Sequence, residues 1–282
     1  KDRKINYKKY QIKKMFFVAP SIDTANGLHT IRTQQLAQAF ANYNVETELI
    51  SGNEKKFIKK IVEASETPGT YFFTSRNGFD LRAYAQEYTN KNLFDLFDVP
   101  VFGIIGDHPF QNFMWEPMAQ CAKKTTLIGA DSLIQEHKDI FNTAGETISL
   151  TQPPPAWIDF DFESNSSEFS KRPIDLLVPL GKINANSMQA AQDINYIDKK
   201  LSKCSNDIKD FCLKLYKLAL NDYSNSTYSH FQKMMLERYG QKYTFQKPLN
   251  RYDQSWLTIL EHIDTYIRIS RRYKLLSQLP WI

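Results

Sequence analysis

Residues 14–51 read KMFFVAPSIDTANGLHTIRTQQLAQAFANYNVETELIS, and this stretch decides the fold class. It opens with an apolar run at 14–20, which predicts a buried strand. Residues 28–43 then have the apolar spacing of a helix, and residues 45–51 predict a second short strand. A strand, a helix and a strand within 38 residues are typical of a parallel βαβ unit.

The same alternation continues to about residue 150. Short apolar runs predict strands at 14–20, 45–51, 70–75, 99–105, 125–130 and 146–150, and helical spacings lie at 28–43, 54–65, 79–89, 110–121 and 131–141. Strands that are apolar throughout are buried on both faces, as in a parallel sheet covered by helices. We therefore expect an α/β domain over residues 1–150, with a Rossmann-like parallel sheet and helices on both faces.

A proline-rich segment breaks this rhythm. Residues 151–173 contain three consecutive prolines and a polar tract, which predict a linker or crossover. A further strand is predicted at 174–181, and the remaining helices at 186–203, 206–222, 226–239 and 253–278. Residues 174–282 thus predict a helix-rich region, or the start of a second, truncated Rossmann-like domain.

The composition excludes several classes of protein. Hydrophobic residues make up 42% and charged residues 24%, as in globular proteins with a substantial core. No run of 18 apolar residues predicts a membrane span, and the N-terminus lacks the apolar run of a signal peptide. Three cysteines are too few and too scattered for a disulfide framework, so we expect a cytoplasmic protein. The first residue is Lys1 rather than Met, which would suit a fragment of a longer protein.

The charge is unevenly distributed along the chain. Residues 171–282 carry 18 Lys and Arg against 10 Asp and Glu, a net charge of +8, which leaves −3 for residues 1–170. Such a basic segment suits phosphorylated ligands or a peripheral contact with an anionic membrane. The alternative is an ordinary solvated helix face. No nucleic-acid-binding motif is present, so we expect no nucleic-acid partner.

The first candidate site follows the strand at 14–20. Asn26-Gly27 predicts a tight turn, and a helix N-terminus offers N–H donors to an anion or a sugar hydroxyl. His29 and Arg32 follow at the start of that helix. The spacing matches neither GxGxxG nor the Walker A sequence. The alternative is an ordinary strand-to-helix turn.

The second candidate site is Asp107-His108, directly after the strand at 99–105. Histidine is the commonest general base, and a neighbouring carboxylate orients the imidazole and favours its charged form. Alternatively, Asp107 caps the next helix and Pro109 occupies its first turn; the two roles are compatible. The remaining histidines on helical patterns are isolated and are expected at the surface or packed; they are His137, His230 and His262.

The third candidate site is Arg76-Asn77, after the strand at 70–75, where an arginine could meet a phosphate or a carboxylate. Turn geometry alone is the alternative. Parallel strands end at one side of a sheet, so we expect Gly27, Arg76 and Asp107 at the same edge. No HExxH, Gly-x-Ser-x-Gly or Cys-His pattern occurs, so neither a metal nor a cofactor is expected.

Three segments resemble parts of GT-B glycosyltransferases. FFVAPSIDTANGLHTIRTQQLAQAFANYNVETELIS (16–51) is similar to their opening strand, glycine-bearing loop, arginine-bearing helix and second strand. KRPIDLLVPLGKI (171–183) resembles the strand that opens their second Rossmann-like domain. IRISRRYKLLSQLPWI (267–282) is similar to a segment of bacterial glycosyltransferases related to the spore-maturation type.

This resemblance implies the N-terminal, acceptor-side domain of a bacterial enzyme that transfers a hexosyl group. The donor would be a nucleotide sugar, and the acceptor a sugar, a lipid or a protein. The resemblance places Asn26 and Gly27 at the cleft, and Asp107 and His108 where some members keep a catalytic base. The chain stops at Ile282, before the donor-binding loops of such enzymes.

The sequence is also compatible with a second class of function. The chain could be a non-catalytic Rossmann-like module whose basic helical region docks a partner protein or an anionic surface. A receptor for a small sugar-like ligand would also suit the fold. Fold alone does not decide between these functions.

Overall fold

The structure is a computed structural model that describes residues 11–19, 28–51, 57–75, 91–111, 122–141, 147–150 and 196–278. The chain forms two compact units. The first comprises Lys1–Trp157 and Phe245–Asn250, and the second comprises Ile158–Thr244 and Arg251–Ile282. None of the helices within the described ranges is long and apolar enough to cross a membrane.

The first unit contains a six-stranded sheet in which every pairing is parallel. Its strands are β1 (Lys14–Ala19), β2 (Glu46–Ser51), β3 (Thr70–Ser75), β4 (Val101–Ile104), β5 (Thr125–Ala130) and β6 (Thr147–Leu150). Described helices of this unit are α1 (Leu28–Ala41), α2 (Phe57–Glu66), α3 (Leu93–Leu96) and α4 (Asp131–Ile140). The predicted Rossmann-like parallel sheet with flanking helices is therefore confirmed.

Alternate residues of the strands enter two separate cores. Phe16 and Phe72 pack with ring centroids 5.1 Å apart in a core that also takes side chains from α2 and α3. Phe17 and Phe73 pack at the same distance, with tilted rings, in a second core that takes side chains from α1. Because successive side chains of a strand point to opposite faces, a run such as Met15–Val18 must be apolar at every position.

The strand order is β2-β1-β3-β4-β5-β6. The chain goes from β1 to β2 on one side and then crosses to β3 on the other side of β1. This reversal makes β1 and β3 the topological switch point, where doubly wound sheets bind ligands beyond the carboxyl ends of their strands. Ala19, Ser75 and Ile104 end three adjacent parallel strands at this edge.

A distant segment of the same unit forms a hydrogen bond with the C-terminal end of helix α4. Lys247 Nζ donates to the carbonyl oxygen of Lys138 at 2.8 Å. The last carbonyls of a helix lack partners within the helix, and a cation there also suits the helix dipole. This contact helps to hold the helix that carries the residues of the candidate site described below.

The second unit has four helices among its described residues: α5 (Tyr196–Lys200), α6 (Asn206–Asn221), α7 (Thr227–Tyr239) and α8 (Arg251–Gln278). Ser205 and Ser226 cap α6 and α7, each accepting from a main-chain N–H three residues on. Phe231 lies at the centre of the core, where it packs against Phe211 and Trp256.

Several predicted elements lie outside the described residues. They are the helix at 79–89, all but the first two residues of the helix at 110–121, the linker at 151–173, the strand at 174–181 and the first ten residues of the helix at 186–203.

Candidate active site

The candidate site begins where β4 ends beside β5. The Ile105 N–H donates to the carbonyl oxygen of Ile128 at 2.8 Å, so the ladder continues one residue beyond the strand. Gly129 lies opposite, and a Cβ at this position would come 3.1 Å from the Ile105 carbonyl oxygen. The absence of a side chain at Gly129 therefore lets the backbones of the two neighbouring strands approach closely before the turn that carries Asp107 and His108.

His108 pairs with a carboxylate from the neighbouring βα unit. Its Nδ1 lies 2.8 Å from Glu136 Oε2, and Glu136 is on α4, 28 residues further along the chain. The His108 side chain is 24% exposed, whereas that of Glu136 is only 4% exposed. A buried carboxylate that holds one ring nitrogen sets the orientation of the imidazole and favours its protonated form.

The plane of the His108 ring is also set by an aromatic neighbour. The His108 and Phe110 rings are stacked with centroids 4.9 Å apart and planes 10° from parallel. Phe110 is fully buried, so it provides a fixed support. The Gln111 N–H donates to the His108 carbonyl oxygen at 3.2 Å and closes the turn. His108 is thus held by its side chain on two sides and by its backbone.

His137 is next to Glu136 on α4, and its side chain contacts the main chain of the turn that carries His108. Its Nε2 lies 3.3 Å from the carbonyl oxygen of Asp107. The residue is fully buried, and burial lowers the pKa of His137 to about 4 despite the hydrogen bond to Asp107. His137 is therefore neutral at physiological pH. The sequence analysis expected His137 either at the surface or packed, and in the structure it is packed.

The structure thus brings Asp107 and His108 together with Glu136, which the sequence analysis did not select, and with His137, to which it gave no role in a site. Asp107 contributes its main-chain carbonyl, and the carboxylate that contacts the His108 ring belongs to Glu136. The hypothesis that the Asp107 carboxylate supports His108 stays a prediction. The His108 ring is partly exposed, whereas the carboxylate that contacts it is buried.

The structure describes the other candidate residues only in part. His29 and Arg32 lie in the first five residues of α1, and their side chains are outside the described residues. Asn26, Gly27, Arg76 and Asn77 also lie outside them. The strands that precede these loops do end at the edge where Asp107 lies, so their common position at that edge remains a consistent prediction.

The sequence carries a signal for the burial of His137 but none for its contact with Asp107. His137 is three residues after Ile134 and three before Ile140, which places it on the apolar stripe of α4. Glu136 comes one position before His137 in the sequence and has no such signal. Its pairing with His108 requires β5 to lie beside β4, which the sequence pattern does not specify.

The remaining described histidines belong to the second unit. His230 Nε2 lies 3.2 Å from Asp222 Oδ2, which makes a second histidine–carboxylate pair. His262 is half-buried, and burial together with Lys200 lowers its pKa. In the part of the chain that the structure describes, no three His, Cys, Asp or Glu side chains come together in a manner that could hold a metal ion.

The parallel α/β sheet and the His108–Glu136 pair are properties of the structure itself, independent of any relative. No protein-family model, no curated protein and no solved structure matches the chain.

Proposed function

We propose that this chain is a glycosyltransferase, or the acceptor-side portion of one, that transfers a hexosyl group from a nucleotide sugar to a hydroxyl acceptor. Three features support the proposal. They are the resemblance of residues 16–51 to the opening of GT-B enzymes, the parallel sheet with its switch point at β1 and β3, and a histidine–carboxylate pair at the same edge of the sheet.

The His108–Glu136 pair carries the proposal. Transfer of a sugar to a hydroxyl needs a base that removes the hydroxyl proton as the new bond forms. With Nδ1 of His108 engaged by Glu136 at 2.8 Å, proton transfer to and from the acceptor falls to Nε2. Glu136 would stabilise the imidazolium that results, because a carboxylate favours the charged form. In this mechanism His108 is the base and Glu136 orients it.

The substrate contacts would come from the neighbouring strand ends. Asn26 and Gly27 would meet sugar hydroxyls through the backbone, with His29 beside them at the start of α1. Arg32, or Arg76 with Asn77, would contact an anionic group of a substrate. The leaving diphosphate needs cationic or main-chain donors, which in GT-B enzymes come mostly from the second domain.

The alternative, a docking module with a basic surface, has less support. Part of the positive charge of the second unit is already neutralised or used within it. Arg238 pairs with Asp207, and Arg268 pairs with Asp264 at 2.6 Å. Arg271 donates to carbonyl oxygens that follow or end α6, including that of Asp222 at 2.8 Å. Such arginines stabilise the helices and present less charge to a partner.

The test is a panel of nucleotide sugars incubated with the chain, and with any longer natural form, while free and transferred sugar are measured. His108→Ala should lower turnover about 10²-fold or more, the usual effect of losing a general base. Glu136→Gln should lower it less and keep the fold. Donor binding, followed by thermal stabilisation, should stay unchanged in both variants.

The matched control is His230→Ala, which removes the histidine of the pair in the second unit. It should leave turnover unchanged. Normal turnover in a folded His108→Ala variant would remove His108 from the mechanism. Absence of both hydrolysis and transfer across the panel, in every form of the protein, would refute the glycosyltransferase proposal.

A further inference from the structure

We propose that His137 is a positioning residue for His108. Its Nε2–H, donated to the Asp107 carbonyl oxygen, fixes the peptide group that joins Asp107 to His108 and so holds the His108 ring against Glu136. The kinetic part of this inference rests on the proposed function, whereas the structural part does not.

Two consecutive residues of α4, Glu136 and His137, contact two consecutive residues of the turn after β4, Asp107 and His108. On α4, Glu136 holds the side chain of His108 at 2.8 Å, and His137 holds the main chain of Asp107 at 3.3 Å. The Asp107 carbonyl belongs to the peptide whose nitrogen is that of His108. A shift of this carbonyl would therefore move the His108 Cα and change the distance to Glu136.

The hydrogen bond determines the tautomer of His137. A carbonyl oxygen can only accept, so the contact requires a proton on Nε2, and in the neutral ring Nδ1 then carries the lone pair. This assignment agrees with the effect of burial, which lowers the pKa of His137 to about 4 and keeps the ring neutral. Two neighbouring groups also act on this pKa: the hydrogen bond to the Asp107 carbonyl oxygen raises it, and the charge of His108 lowers it.

The buried ring makes little sense as packing alone. His137 is fully buried, and its Nδ1 has no hydrogen-bond partner among the described residues. Burying an unpaired polar atom costs stability, which an apolar side chain of similar size would avoid. The contribution that an apolar side chain cannot make is the donor at Nε2. We infer that this donor is the reason for a histidine at position 137.

Two variants distinguish the effect of the hydrogen-bond donor at position 137 from the effect of the side-chain volume. His137→Gln keeps an N–H group at about the place of Nε2, and His137→Met has similar length without a donor. We expect the Gln variant to keep kcat within about threefold, and the Met variant to lose about tenfold or more at unchanged KM for the donor sugar. His262→Met, in the second unit, is the matched control and should leave kcat unchanged.

Nuclear magnetic resonance tests the same inference without a substrate. In the unmodified protein, the ¹⁵N shifts of His137 should show the proton on Nε2. Glu136→Gln should lower the pKa of His108, because it removes the carboxylate that favours the imidazolium. The Met variant should lower the pKa of His108 in the same direction, because it loosens the contact, and the Gln variant should leave the titration unchanged.

A proton on Nδ1 of His137 in the unmodified protein would overturn the proposal, and this measurement remains decisive even if the Met variant fails to fold. An unchanged His108 titration in a folded Met variant would also overturn it. If the resonance results are as expected but no sugar is transferred, the proposed function fails while the positioning role of His137 stands.

Discussion

Acidification should destabilise the first unit through His137. The pKa of this ring is lowered from 6.5 to about 4 in the folded protein, mainly by burial. The unfolded chain therefore takes up the proton at a higher pH than the folded chain does. Stability is fully present above the unfolded pKa and is lost as the pH falls towards the folded pKa.

The size of the effect follows from these two pKa values. One unit of difference corresponds to about 1.4 kcal/mol, so the free energy of unfolding should fall by about 2 kcal/mol between pH 7.5 and pH 5. The loss should approach about 3 kcal/mol near pH 4. This is a large part of the stability of a typical domain, which is about 5–15 kcal/mol.

The assay measures unfolding in urea at pH 7.5, 6 and 5 for the unmodified protein and for His137→Gln, which keeps a donor but does not titrate. Hydrogen exchange of peptides within 122–141 reports on the first unit separately from the helices of the second. The stability advantage of the unmodified protein over the variant should fall by about 2 kcal/mol between pH 7.5 and pH 5. The comparison cancels contributions from His262 and from the carboxylates.

A stability difference between the two proteins that stays constant from pH 7.5 to pH 5 would refute the reasoning. It would mean that His137 titrates alike in both states, and hence that the ring is accessible to water in the folded protein.

Three further predictions concern the scaffold. Gly129→Ala should cost about 1–3 kcal/mol and lower kcat, since its Cβ would press on the Ile105 carbonyl oxygen; urea unfolding and kinetics check this. Ser226→Ala should cost about 1 kcal/mol in the second unit, because a main-chain N–H at the start of α7 loses its acceptor; an unchanged melting temperature would contradict it. Phe72→Ala should cost about 3–5 kcal/mol, because it empties the centre of one face of the sheet; a smaller loss in urea would mean that the core refills.

Much of the fold could be predicted from local pattern. The strands predicted at 70–75 and 125–130 are observed with the same bounds, and the helix predicted at 206–222 is observed at Asn206–Asn221. Burial on both faces leaves apolar residues at every strand position, and serine caps mark helix starts. Both are signals carried by neighbouring residues. The short helix α3 was not predicted, because four residues are too few to show a period.

The sequence by itself determined that β-strands and helices alternate, that the sheet is parallel, and that His108 follows a buried strand at its carboxyl edge. Tertiary structure alone decided the strand order, the burial of His137 and the pairing of His108 with Glu136. The physical reason is range. Hydrophobic periodicity acts within one element, whereas the contact with Glu136 joins residues 28 positions apart and exists only because β5 pairs with β4 and α4 turns this side chain towards the end of β4.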